Sequence, residues 1–481
     1  MHPRSLPRVR ASLLIVLSGV LAAALTACGG STIDPRVAAR ANNLGLSNGN
    51  AQQVVANNNG PGGPNDAVPD GTATTGPGQT QANGPSGPGA TGGPVANVPK
   101  APPGSASCAG FKNSTGISDS TIRVGNASDI SGPVPGLFTA AQQASRAFIQ
   151  YFNSTGGTVC GRKLVLDNYD THTDGGGDQQ AYTKGCANDF AMVGSMSAFD
   201  SGGARTAQTC GIPDIRAIST TNERGACTTC FGTQPAGPEA FENAVPDYLI
   251  KHTGGKNAAM LYISIGAAAA NGQSQVKHET KRGVHYVVNR GVDIAEFNYS
   301  PYVQEMKDKN VQSVQFIASS AQFARLAQAM QSSDFHPKVY LIDPSAYNED
   351  YTKVGGAAAV GTTVYINFTP FEEAASNPEI TLYTRYLQQV APGAKPTFFG
   401  LFAWSATRLF VEQSVKLGGK LSRPALISAM RRVDNWTSHG GHAPQHVGSK
   451  KIADCWRFIQ WNGRAWVPVD GRAYHCNGLT Y

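Results

Sequence analysis

From residue 117 onward the chain alternates short apolar runs with longer amphipathic stretches. Residues 121–125 place Ile122 and Val124 on one side, the two-residue period of a strand. Residues 136–153 carry Leu137, Phe138, Ala141, Ala144, Phe148, Ile149 and Phe152 at helical spacing, with one apolar face. A strand at 163–169, a helix at 178–189 and a short buried strand at 191–194 follow, then a helix before Gly211 and a strand at 215–218. A Gly-, Pro- and Cys-rich stretch, 225–238, interrupts the series. Helices at 239–252, 273–289, 302–309 and 321–331 then alternate with strands at 258–263, 292–297, 313–317 and 338–342. A last strand lies near 361–365. Helices at 377–389, 397–417 and 423–431 come next, and a hairpin over 455–469 turns at Asn462-Gly463. Repeated strand–helix alternation predicts an α/β fold, with parallel sheets covered by helices on both faces. Such a length, about 370 residues, exceeds what one core usually serves, so two lobes are expected.

The first 107 residues read differently. Arg4, Arg8 and Arg10 precede an apolar run over 11–27, and Leu25-Thr26-Ala27-Cys28 ends it. A basic start, a short apolar middle and small residues at the cut predict a secretory signal peptide over 1–27. The Leu25–Cys28 tetrapeptide looks like the lipobox of bacterial lipoproteins, which implies a lipid on Cys28. Residues 28–107 are mostly Gly, Pro, Asn, Ala, Thr and Gln, with very few charges and no aromatics. They cannot bury enough apolar surface to offset ordering, which predicts a disordered tether. A flexible coil of that length spans roughly 50 Å. The chain is therefore placed at the outer face of the bacterial cytoplasmic membrane, held by its lipid.

The formal charge of +7 falls to about +4 once Arg4, Arg8 and Arg10 leave with the signal peptide. No basic run suggests nucleic acid as a partner. Eight cysteines remain besides Cys28, an even number suited to disulfides in an exported chain. Spacing favours Cys186–Cys210, Cys227–Cys230 and Cys455–Cys476, which leaves Cys108 and Cys160, although spacing alone leaves the connectivity open. Cys227-Thr-Thr-Cys230 sits among Gly, Thr and Pro rather than at a helix start, so a structural bridge is favoured over a redox or metal motif.

In open α/β sheets ligands bind beyond the carboxyl ends of the strands. Those ends read Ser128-Asp129-Ile130-Ser131, Gly194-Ser195-Met196-Ser197-Ala198-Phe199 and Ser219-Thr220-Thr221-Asn222 in the first series. In the second they read Ser264-Ile265-Gly266 with Asn271-Gly272 entering a helix, Ala318-Ser319-Ser320 and Asp343-Pro344-Ser345. Hydroxyls and glycines at helix entrances suit an anion, although the same residues also serve simply as caps.

This order resembles the leucine/isoleucine/valine-binding proteins, the type I periplasmic-binding fold that serves ABC importers. The resemblance covers residues 117–470. It rests on Ile122-Arg123-Val124-Gly125 before Ser131-Gly132-Pro133, Gly156-Gly157 with Gly161-Arg162-Lys163-Leu164, Val193 to Ser197, and Gly211-Ile212-Pro213 before Ile218 to Asn222. It implies two Rossmann-like lobes joined by a hinge: 117–236 with 368–445, and 237–367 with 446–481. It implies that Ser197, Ala198, Ser219 and Thr221 hold a ligand carboxylate, with Ser131, Phe199 and Thr220 beside them. Leu137 takes the place of a pocket aromatic, next to Phe138. In the family the second lobe contributes aromatics near Asn271 and Ser319/Ser320, which are not aromatic here; Asn271, Ser319, Ser320, Asp343 and Ser345 stand at its strand ends. The family's carboxylate for an α-ammonium has no counterpart at Ser345, and Asp343 lies two residues earlier, which weakens the case for an amino acid.

The function so implied is capture of a small polar solute (amino acid, amide or short organic acid) and delivery to an ABC permease. A sensor or scaffold lipoprotein signalling to a membrane partner is the alternative. No nucleophile elbow, zinc-protease helix or phosphate loop is present, so no enzyme, cofactor or metal site is expected. His439, His442 and His446 lie among Gly and Pro and are expected to be solvated loop residues rather than metal ligands.

Overall fold

The computed structural model describes residues 107–481. The signal peptide, Cys28 and the tether up to residue 106 lie outside the described residues.

Five strands form the first sheet: β1 (Thr121–Ser128), β2 (Lys163–Asp170), β3 (Ala191–Val193), β4 (Asp214–Ser219) and β5 (Cys230–Pro235). They are all parallel, in the order β2-β1-β3-β4-β5. The second sheet repeats the plan with β7 (Ala258–Ile263), β8 (Tyr286–Val292), β9 (Ser313–Ile317), β10 (Val339–Ile342) and β11 (Thr363–Ile366), in the order β8-β7-β9-β10-β11. Two antiparallel strands, β12 (Cys455–Trp461) and β13 (Trp466–Val469), extend it beyond β11. The C-terminal β15 (Leu479–Thr480) pairs with β6 (Phe241–Glu242), where the chain enters the second half. Each sheet thus reverses its strand order once, between β1 and β3 and between β7 and β9.

The first helix, α1 (Thr139–Ser154), buries Ala141, Ala144, Phe148 and Phe152, the face its spacing predicts. After β11 the chain returns to the first sheet as α10 (Pro378–Val390), α11 (Phe398–Leu417) and α12 (Arg423–Met430). Helix α11 is buried along most of its length, with Trp404 fully covered and edge-on to Phe148 at 4.9 Å. It is anchored by Thr233 Oγ1, which donates to the Phe402 carbonyl at 3.1 Å, and α12 by Arg423 Nε, which donates to the Phe190 carbonyl at 3.1 Å. The three disulfides favoured by spacing, Cys186–Cys210, Cys227–Cys230 and Cys455–Cys476, are formed, and the remaining two cysteines make Cys108–Cys160.

Three expectations change. The helix placed at 273–289 is α6 (Gly266–Arg282), and its following strand is β8 rather than 292–297. Asn271-Gly272 therefore lies inside a helix, where the bare Gly272 Cα rests against Tyr262; a Cβ there would sit 2.5 Å from that ring. The stretch 225–238 hides β5, every residue of which is buried. Its Gly, Pro and cysteines mask a strand that needs no polar alternation because both faces are covered. Lastly, His442 is buried, not solvated: Ser405 Oγ lies 2.8 Å from its Nε2, and its ring stacks on Phe402. His439 pairs with Glu412 at 2.7 Å and His446 with Asp434 at 2.6 Å, so the three point to separate partners. No group of His, Cys, Asp and Glu that could hold a metal occurs among the described residues.

Candidate functional site

Each point of strand reversal leaves a crevice at the carboxyl ends of the strands, because the flanking connections run to opposite faces. In the first sheet the crevice is bounded by the loops after β1 and β3, which carry Asp129–Phe138 and Gly194–Gly203. In the second it is bounded by Ser264–Ile265, after β7, and Ala318–Ser319, after β9. The two crevices face one another and touch: Ala267 N–H donates to the Ala198 carbonyl at 3.0 Å. Contact this close requires Gly266, whose φ is +59° and whose Cβ would lie 2.9 Å from that carbonyl and 3.4 Å from the Phe199 ring.

The loop donors of the first sheet already have partners. Asp129 is fully buried, and its Oδ2 accepts from Ala198 N–H at 2.8 Å. Its Oδ1 accepts from Thr171 Oγ1. Burial pushes the Asp129 carboxyl upward, opposed by the Ala198 N–H and the Thr171 and Ser197 hydroxyls. Asp200 does the same one loop on. Its Oδ2 accepts from Thr220 N–H at 3.0 Å, and its Oδ1 from Thr221 Oγ1 at 2.6 Å. Arg216 lies 3.6 Å from Asp200, inside a fully buried cluster in which Arg224 bridges Asp178 and Asp214, each at 2.9 Å. Arg224 Nε also donates to the Asp200 carbonyl at 2.7 Å, so the cluster fixes the loop that holds Thr220 and Thr221.

The remaining sequence-derived residues divide into two groups. Ser131 Oγ donates to Asp170 at 2.6 Å, and this bond, with the His172, Ser131 and Ile130 N–H groups, outweighs burial and holds the Asp170 carboxyl down to about 2. Leu137 is half-buried; Phe138 is buried edge-on to Phe399 at 4.6 Å. Ser197 and Ser219 are buried, and Phe199 is half-buried beside Gly266. In the second sheet Ser319 starts α8 (Ser320–Ser332), with Gln322 Oε1 accepting its N–H at 3.0 Å. Ser320 Oγ accepts from Asn348 Nδ2 at 2.7 Å. Ser345 N–H donates to Asp343 Oδ1 at 2.8 Å. Asn271, the sixth residue of α6, stands about 7 Å along the helix from its start and apart from the β7 strand end.

Residues 121–465 match the family model described as periplasmic binding protein. The chain belongs to the periplasmic binding protein family. Solved structures share the fold at low identity. A fatty acid ABC transporter substrate-binding protein from Thermomonospora curvata aligns with a TM-score of 0.64 and 18% identity, over 76% of this chain and 95% of that one. The leucine binding protein LivK from Thermotoga maritima aligns with a TM-score of 0.61 and 14% identity, over 75% and 99%. An R. palustris solute binding protein in complex with 4-hydroxybenzoate gives 0.60 and 16%, over 75% and 97%. The chain matches no curated protein. The family and these neighbours are solute-binding proteins, not enzymes, and the family places the folded part outside the cytoplasm. No described helix is long and apolar enough to cross a membrane.

Within that family frame, three buried polar groups immediately follow strands and lack partners among the described residues: Thr220 Oγ1 after β4, Asp343 Oδ2 after β10 and both amide atoms of Asn367 after β11. Burial pushes the Asp343 carboxyl up to about 6, opposed by hydrogen bonds from Ser345. Buried polar groups without a partner are uncommon in folded proteins, and each calls for an explanation, a bound molecule among them. Asp129, Asp200 and Asn367 were missed from sequence. An acid inside a loop otherwise made of hydroxyls and glycines was the available signal for the two aspartates; Asn367 carried none.

Proposed function

We propose that this chain is an extracytoplasmic solute-binding lipoprotein that closes two lobes on a small polar solute and delivers it to an ABC permease. Lobe 1 comprises 117–236 and 368–445, and lobe 2 comprises 237–367 and 446–481. The carrying observation is the pair of strand-reversal crevices that meet at Ala198 and Ala267, with unpartnered polar groups at strand ends on both sides. A solute touching both lobes stabilises the closed arrangement by its differential affinity for it. Ser197, Ala198, Phe199, Ser219, Thr220 and Thr221 supply the lobe 1 wall, with Ser131, Leu137 and Phe138 behind it. Ser319, Ser320, Asp343 and Ser345 supply the lobe 2 wall. Cys28 carries the lipid that keeps the protein at the membrane.

The test is a thermal-shift screen of the purified chain against amino acids, amides, amines, short carboxylates, polyols and sugars. A solute that binds the native state raises the Tm by mass action. At least one class is expected to raise it by several degrees in a concentration-dependent way. A flat response across all six classes would remove the solute-receptor reading.

A further inference from the structure

We propose that the solute is an N–H donor without a carboxylate, a primary amide or an amine; this rests on the solute-receptor reading and narrows it. Four donors at the ends of the first sheet's strands that would suit a solute carboxylate are spent inside the molecule. Ala198 N–H and Thr171 Oγ1 serve Asp129, while Thr220 N–H and Thr221 Oγ1 serve Asp200. Both acids are fully buried, so neither leaves these donors without exposing or breaking an otherwise satisfied group.

Composition points the same way. The segments that follow β1, β3, β4, β7, β9, β10 and β11 (128–138, 194–203, 219–222, 264–272, 318–321, 343–348 and 367–370) contain Asp129, Asp200 and Asp343 but no Lys or Arg. Arg216, on β4, and Arg224, just beyond it, are fully buried and paired with Asp178, Asp200 and Asp214. Within these segments an incoming carboxylate meets like charge and no cation, and a buried unpaired charge is costly. What stays open is a different set. Asp343 Oδ2 only accepts when ionised, Asn367 offers one carbonyl and one NH2, and Thr220 offers a hydroxyl. A primary amide can donate to Asp343 or to the Asn367 carbonyl and accept from the Asn367 NH2 or the Thr220 hydroxyl. An ammonium would instead pair with Asp343 directly.

Matched series separate these chemistries in the full chain: propionate, propionamide and propylamine; benzoate, benzamide and benzylamine; leucine and leucinamide. The amide or amine member of at least one series is expected to raise the Tm several degrees, with its carboxylate partner inert. Carboxylates that stabilise as well as or better than their amides would overturn the proposal while leaving the receptor reading intact. Silence from every compound in both this and the wider screen removes the receptor reading itself, and the proposal with it. Asp343→Asn separates the two accepted classes: amine affinity should fall at least tenfold and amide affinity by less. Asp129→Ala supplies the converse, because it frees the Ala198 N–H and the Thr171 hydroxyl. That variant should gain a response to carboxylates that the parent lacks, and the same carboxylate response in parent and variant would count against the proposal.

Discussion

At the scale of single residues, buried polar groups matter more than exposed ones. Asp129 and Asp200 act as internal ligands for their neighbours' donors, so the loops after β1, β3 and β4 are braced before any solute arrives. His442 shows the same economy elsewhere. Trp436 Nε1 donates to Ser405 Oγ at 2.8 Å, Ser405 Oγ–H faces His442 Nε2 at 2.8 Å, and His442 Nδ1–H faces the Ala443 carbonyl at 2.9 Å. That chain assigns His442 its neutral form, and burial lowers its pKa to about 4. The folded state therefore resists a proton that the unfolded chain takes near pH 6.5. The stability His442 confers is present above that pH and is lost as pH falls towards 4. Over that window the parent should lose about 3 kcal/mol relative to His442→Asn. Urea unfolding of both proteins at pH 7, 5.5 and 4.5 measures it, and parallel pH profiles would refute it.

At the scale of elements, α6 decides how closely the lobes approach. It begins at Gly266, and its first turn supplies the Ala267 N–H that reaches Ala198. A side chain at 266 is disfavoured twice, by the left-handed backbone and by the Ala198 carbonyl. Gly266→Val should leave each lobe folded but hold the crevices apart. Solute affinity is expected to drop at least tenfold, and small-angle scattering should show no compaction on addition of the solute found by the screen. Unchanged affinity would mean that closure does not depend on this contact. Much of this was legible in sequence, since the strand and helix series was readable from apolar spacing. The start of α6 was not: Ala-rich 266–272 has no apolar–polar contrast to mark a face, and Gly272 reads as a break unless Tyr262 is known to lie against it.

For the whole molecule, the question is where the two lobes work. The apolar run, the three arginines and Cys28 make an anchored receptor the expected outcome. Cys28→Ser should shift the protein from the membrane fraction to the soluble fraction of cells, and detergent partitioning of the parent should be lost in the variant. A variant still bound to membranes would remove the lipid anchor.

The sequence by itself determined the class of architecture. Strand and helix periods are local properties, and their alternation leaves few ways to bury both faces of a parallel sheet. It also determined the even cysteine set, whose spacing pointed to three of the four bridges and left the pair that forms the fourth. Only the tertiary structure decided which donors are free. Ala198 and Asp129 are 69 residues apart, and Thr171 and Asp129 are 42 apart. No local pattern reports that a carboxylate from one loop fills the donors of another, because that depends on the register of strands distant in the chain. On the proposal above, those pairings also set the kind of solute the crevices admit.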